Sequence, residues 1–101
     1  MANTFKNEVG VATTGGATIY TCPASTTTVV IGIVLANKSA SSVTGSVQIG
    51  STYVVKDAPI PVGSALSPLD GKIILEATDT VVVTASANSA VDVVLSLLEQ
   101  T

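Results

Sequence analysis

An antiparallel β-sandwich or small jelly roll of about eight short strands is the fold expected of this chain of 101 residues. Three features point to it. Val is the commonest residue, followed by Thr, Ala and Ser. β-Branched side chains lose rotamer freedom in helices and pack well on a pleated surface. Apolar and polar residues also alternate with period two in several segments, which sends them to opposite faces of a strand. Finally, turn-forming residues separate these segments at short intervals. The length fits one domain over residues 1–101, with an N-terminal arm over about residues 1–11.

The expected strands, in order, are Thr4–Val11, Ala17–Cys22, Thr27–Ala36, Val43–Gly50, Thr52–Lys56, Lys72–Glu76, Thr80–Ser86 and Ala90–Leu98. Thr27–Ala36 is apolar on both sides. Val29, Ile31, Ile33 and Leu35 line one side, and Val30, Gly32, Val34 and Ala36 the other. Val43, Gly45, Val47 and Ile49 share a face, with Thr44, Ser46 and Gln48 opposite. Gly50-Ser51 then fits a two-residue type II′ hairpin turn, which wants Gly first. Ala58–Gly63 contains Pro59 and Pro61, so it cannot be a central strand and is expected to cross between sheets. Asp70-Gly71 and Asp79-Thr80 supply turn chemistry beside the next two strands. In Ala90–Leu98, Val91, Val93, Leu95 and Leu97 face one way, and Asn88-Ser89 is expected to turn the chain before them. Val91, Val93 and Val94 argue against a helix over Val94–Gln100.

Composition excludes most enzyme chemistry. There is no His, Arg or Trp. Without His, neither a Ser-His-Asp nor a Cys-His arrangement can be built, and one Cys without His cannot make a zinc site. The four lysines, Lys6, Lys38, Lys56 and Lys72, are scattered and outnumbered by seven acids, so no nucleic-acid stripe forms. Cys22 stands alone, so no intrachain disulfide is available. Its expected role is a small buried side chain. The polar start and a longest apolar run of eight residues, Val29–Ala36, fit neither a signal peptide nor a membrane helix of about 20 residues. The expectation is a soluble chain made in a cytoplasm.

The remaining chemistry-bearing residues have plain readings. Asp57, Asp70, Asp79, Asp92, Glu8, Glu76 and Glu99 mostly lie beside turn signals, and no Asp-rich calcium loop appears. Gly15-Gly16 lacks the Gly-Lys-Ser/Thr ending of a phosphate loop. Tyr20 and Tyr53 could stack on a sugar in a glycan-binding module, but core or interface packing accounts for them. No cofactor or metal is expected.

Charged residues make up 11% of the chain, against roughly 25% in an average domain. A surface so poor in charge, together with strands apolar on both sides, implies covering by other subunits or by the chain's own loops. The candidate interface residues are Phe5, Val9, Val11, Val30, Val34, Ile60 and Val62. Phe5 would anchor the arm Met1–Val11 on a neighbour, and Ile60 and Val62 would form a second patch.

Several stretches carry a wider likeness. They are Ala2-Asn3-Thr4-Phe5-Lys6-Asn7; Tyr20-Thr21-Cys22-Pro23 with the Thr26–Leu35 run; Val54 through Gly63; and Gly71-Lys72-Ile73-Ile74-Leu75-Glu76 through Asp79 to Val91–Ser96. The chain resembles small virion structural proteins of tailed bacteriophages, especially phages of cyanobacteria and marine bacteria, over nearly its whole length. The resemblance implies a non-enzymatic, many-copy component of a virion assembled in the host cytoplasm. A capsid cement or decoration protein that stabilises the shell is the first expectation; a neck, collar or tail component is the alternative. The implied partners are copies of itself, as a trimer or another homo-oligomer, and a major capsid or neck/tail protein, with no nucleic acid and no membrane.

Overall fold

The computed structural model describes residues 2–69 and 71–101. Met1 and Asp70, which belong to the expected arm and to one expected turn, lie outside the described residues. Nine strands form: β1 (Asn3–Val11), β2 (Ala17–Thr21), β3 (Thr27–Asn37), β4 (Val43–Ile49), β5 (Thr52–Ile60), β6 (Ala65–Leu66), β7 (Ile73–Leu75), β8 (Thr80–Ala85) and β9 (Val91–Gln100). No helix among the described residues is long and apolar enough to cross a membrane.

The strands make two antiparallel sheets. Sheet I runs β1-β9-β3, and β3 carries β6 and β7 at separate places along its far edge. Sheet II runs β2-β8-β4-β5. The pairs β1·β9, β2·β8, β3·β6/β7 and β4·β5 nest inside one another, so the chain is a long hairpin doubled back at its middle and rolled up. That is the jelly-roll arrangement, with its sixth strand split into β6 and β7. The fold point is the β4–β5 turn, where Ile49 pairs with Thr52 and Gly50 holds φ +61°, as a Gly-first two-residue turn requires.

The core fills the space between the sheets. From β9 come Val91, Val93, Leu95 and Leu97; from β8, Val81 and Val83; from β4, Val43 and Val47. Val30, Ile33 and Leu35 of β3 join them, with Tyr20, Cys22, Ile60 and Leu75. Gly45 marks a tight approach between the sheets. A Cβ there would sit 2.9 Å from the end atoms of both Ile60 and Leu35.

The structure corrects the sequence reading in four places. The facing pattern of β3 does not run through. Its register with β9 shifts between Val30 and Gly32, so Ile31 is an extra residue. A bulge of this kind reverses which alternate residues face inward. Thr28 and Val30 point inward before it, and Ile33, Leu35 and Asn37 after it. Second, Asn88-Ser89 does not close a hairpin. β8 lies in sheet II and β9 in sheet I, so residues 86–90 cross between sheets. Third, β5 runs on through Pro59 to Ile60; Pro59 is tolerated because β5 is an edge strand. Fourth, the N-terminal segment does not leave the body as an arm, since β1 pairs with β9 from Asn3↔Gln100 to Val11↔Asp92.

Candidate assembly surface

The outward face of sheet I follows from register. In an antiparallel ladder, residues directly opposite each other share a face. Since Val91, Val93, Leu95 and Leu97 point inward, Asp92, Val94, Ser96 and Leu98 point outward, together with their partners on β1, β3 and β7. One row across the sheet is Phe5, Leu98, Val29 and Ile74. Two residues further along comes Asn7, Ser96 and Gly32, with the extra Ile31 beside them. The next row is Val9, Val94 and Val34, and the last is Val11, Asp92 and Ala36.

Among the described residues, this face holds seven of the nine exposed large hydrophobic side chains: Phe5, Val9, Val11, Ile31, Val34, Ile74 and Val94. Phe5 is 75% exposed and Val9 72%, values ordinary for lysine and costly for apolar groups. From strand spacing and rise, the band measures about 14 Å across and about 20 Å along β1. Its ends are polar. Lys38 Nζ pairs with Asp92 Oδ1 at 2.7 Å at one end, and Asn3, Gln100 and Thr27 align at the other. A shallow depression of about 340 Å³ opens over Val9, Gly10, Val11, Asp92, Val93 and Val94.

Of the seven interface candidates, Phe5, Val9, Val11 and Val34 come together on this face. Val62 is 54% exposed but sits in the crossing after β5, away from the band. Val30 and Ile60 are corrected out of the surface set. Val30 is 2% exposed because the Ile31 bulge turns it inward, and Ile60 is 1% exposed because the end of β5 tucks against Gly45 and Leu35. Ile31, Ile74 and Val94 belong to the face and were missed. The signal for Val94 was present, since it breaks the alternation of β9 with an apolar residue on the polar side.

The titratable residues are dispersed. Asp57 adopts φ +52° in an irregular stretch of β5, and its N–H donates to Ser46 Oγ at 2.8 Å. Asp79 Oδ2 accepts from the Glu76 N–H at 2.9 Å and closes its turn. Cys22 is buried, with Sγ 3.3 Å from the Thr26 carbonyl and 3.2 Å from Thr28 Oγ1. Beside it, Tyr20 donates its hydroxyl to the Glu99 carboxylate, and its oxygen lies 2.9 Å from Thr28 Oγ1. Burial, reinforced by the Glu99 carboxylate, pushes the Tyr20 hydroxyl up to about 12. Lys6 Nζ lies 3.7 Å from both Glu8 and Glu99. Tyr53 is exposed on sheet II with Lys56 Nζ 5.2 Å from its ring centre. Among the described residues no three His, Cys, Asp or Glu side chains gather as metal ligands would.

No family model matches this chain, and no curated protein matches it. Among solved structures, the chain is similar to one described by the words "Bacillus endospore appendages form a novel family of disulfide-linked pili". The TM-score is 0.58 at 16% sequence identity, covering 99% of this chain and 87% of that one. The likeness is one of fold, and here the single cysteine is buried.

Proposed function

We propose that this protein is a non-enzymatic structural subunit that works in many copies, with the outward face of sheet I as its assembly surface. The observation that carries this reading is the gathering of Phe5, Val9, Val11, Ile31, Val34, Ile74 and Val94 on one face of one sheet. Exposed apolar patches of a few hundred Å² or more mark interaction sites, because leaving them in water forgoes about 25 cal/mol per Å². The low charge supports the same reading, since ions on this face are confined to the Lys38–Asp92 pair at one end, and the apolar rows are buried at little desolvation cost. A similar fold in a subunit of pili is compatible with multi-copy work.

The finer reading rests on the sequence resemblance. The protein is a cement or decoration protein of a tailed-phage capsid, bound to copies of itself and to the major capsid protein, and it strengthens the shell through these contacts. A neck, collar or tail position is the other reading of the same resemblance. Particles assembled with Val9→Asp together with Val94→Asp are expected to lack the subunit while the purified variant stays folded; undiminished incorporation would contradict the assembly surface. Copy number per particle separates the positions. Hundreds of copies indicate the shell, and a small multiple of three or six indicates the neck or tail.

A further inference from the structure

We infer that two copies of this chain join edge to edge through β1, antiparallel about a two-fold axis at Asn7, so that the two copies of sheet I become one continuous sheet. This rests on the self-association reading above and names its contact.

The two sheets have four edges, and three are obstructed. β5 carries Pro59, Lys56 and two register irregularities. β2 is five residues long with an irregularity between Thr18 and Tyr20. The β6/β7 edge is broken into pieces of two and three residues. Such devices keep sheet edges from pairing with other chains. β1 is the least obstructed: it is nine residues long, in unbroken register with β9 and free of proline, and its one lysine, Lys6, stands beside Glu8.

Backbone parity decides which groups face outward. Ala2 and Thr101 exchange both of their backbone hydrogen bonds, at 3.2 and 3.0 Å, and the Ala12 N–H reaches the Val91 carbonyl at 2.9 Å. Even-numbered residues of β1 therefore point their N–H and C=O groups at β9. Asn3, Phe5, Asn7, Val9 and Val11 point theirs at the open edge. Among the described residues, no hydrogen bond engages these outward backbone groups.

Side-chain chemistry then selects the register. Centred on Asn7, Phe5 meets Val9 of the partner subunit on the outward face, and Lys6 meets Glu8 of the partner subunit on the other. Each contact occurs twice, Asn7 meets its own copy, and all nine residues pair. Centring on Lys6 would oppose two lysines, and centring on Glu8 would oppose two glutamates; like charges directly opposite destabilise a ladder. Shifting one strand by a single residue would oppose outward backbone groups to inward ones. The Asn7 register also merges the two apolar bands side by side, with Phe5 and Val9 at the seam.

The test is cysteine cross-linking of the full chain. At Asn7 the two Cα atoms would be about 5.5 Å apart, within the roughly 4.4–6.8 Å of disulfides. The two Asn3 positions would be about 26 Å apart, eight residues along the strand. Asn7→Cys is expected to give a disulfide-linked dimer under mild oxidation, and Asn3→Cys to give none; the wild type controls for buried Cys22. Lys6→Glu should raise the dimer dissociation constant at least about tenfold, and Lys6→Glu with Glu8→Lys should restore it to within about threefold. Asn7→Pro should also abolish the dimer, since the N–H it removes faces the open edge and not β9. If the wild type self-associates by light scattering while Asn7→Cys fails to cross-link, or the double charge swap fails to restore the dimer, this contact is overturned and the assembly reading stands. A wild type that stays monomeric at every concentration overturns both.

Discussion

The outward faces of the two sheets are both built from strand-forming residues and both meet solvent, yet they differ in chemistry. On sheet II the outward positions are Thr18, Thr21, Thr44, Gln48, Thr80 and Thr84, with Ser46 buried against Asp57, Val82 among them and Tyr53 under Lys56. Threonine keeps β propensity while offering a hydroxyl to water. On sheet I the same kind of position is filled by Phe5, Val9, Val34, Ile74 and Val94. Folding needs only one apolar face per sheet. Sheet II shows that this chain can finish an outward face with hydroxyls, so the apolar face of sheet I is an additional property, and assembly accounts for it.

That contrast can be broken first within β9. Leu95 is wholly buried, and its neighbour Val94 is 41% exposed on the opposite side. Leu95→Ala is expected to cost about 2–5 kcal/mol of stability, read by denaturant unfolding. Val94→Ala should cost under about 1 kcal/mol and instead weaken association. Equal losses would mean that the outward face serves folding.

Gly45→Ala probes where the sheets meet. Its new methyl would press on Ile60 and Leu35, both buried and unable to swing into solvent. Overpacking of this kind costs about 1–3 kcal/mol, and a thermal melt lowered by several degrees would register it. A neutral substitution would show that the sheets can part at this point.

A smaller effect concerns pH. The Tyr20 hydroxyl ordinarily titrates near 10.0 and is held up to about 12 in the fold. The folded state therefore keeps its proton longer than the unfolded state. The stabilisation is whole below pH 10 and is lost as pH rises from 10 towards 12. Melting temperature should fall more steeply over that window in the wild type than in Tyr20→Phe; parallel curves would remove Tyr20 as the cause.

Much of the fold could be read from the sequence, because strand residues, alternation and turn chemistry agree locally. The Gly50-Ser51 turn and the inward set of β9 are examples. The bulge at Ile31 could not be read. In a run of Val and Ile, moving one residue from one face to the other leaves no mark in composition, and the reversal of Val30 followed from that. β6, two residues held by Leu35 and Ala36, depends on tertiary pairing alone. Asn37 was equally hidden. It is buried, donates to the Ser41 and Ile60 carbonyls at 2.9 Å each, and ties the loop after β3 to the end of β5. At the candidate surface, Phe5, Val9, Val11 and Val34 were legible as apolar residues with no evident place in a core. Ile60 was not, because only the gap over Gly45 gives it one.

The most direct test is hydrogen exchange combined with sedimentation velocity on the purified wild type across a wide concentration range. Species larger than a monomer are expected as concentration rises, with amide protection growing along β1 while β5 stays unchanged. A protein that sediments as a monomer throughout, with β1 exchanging at the same rate at every concentration, would contradict assembly through β1.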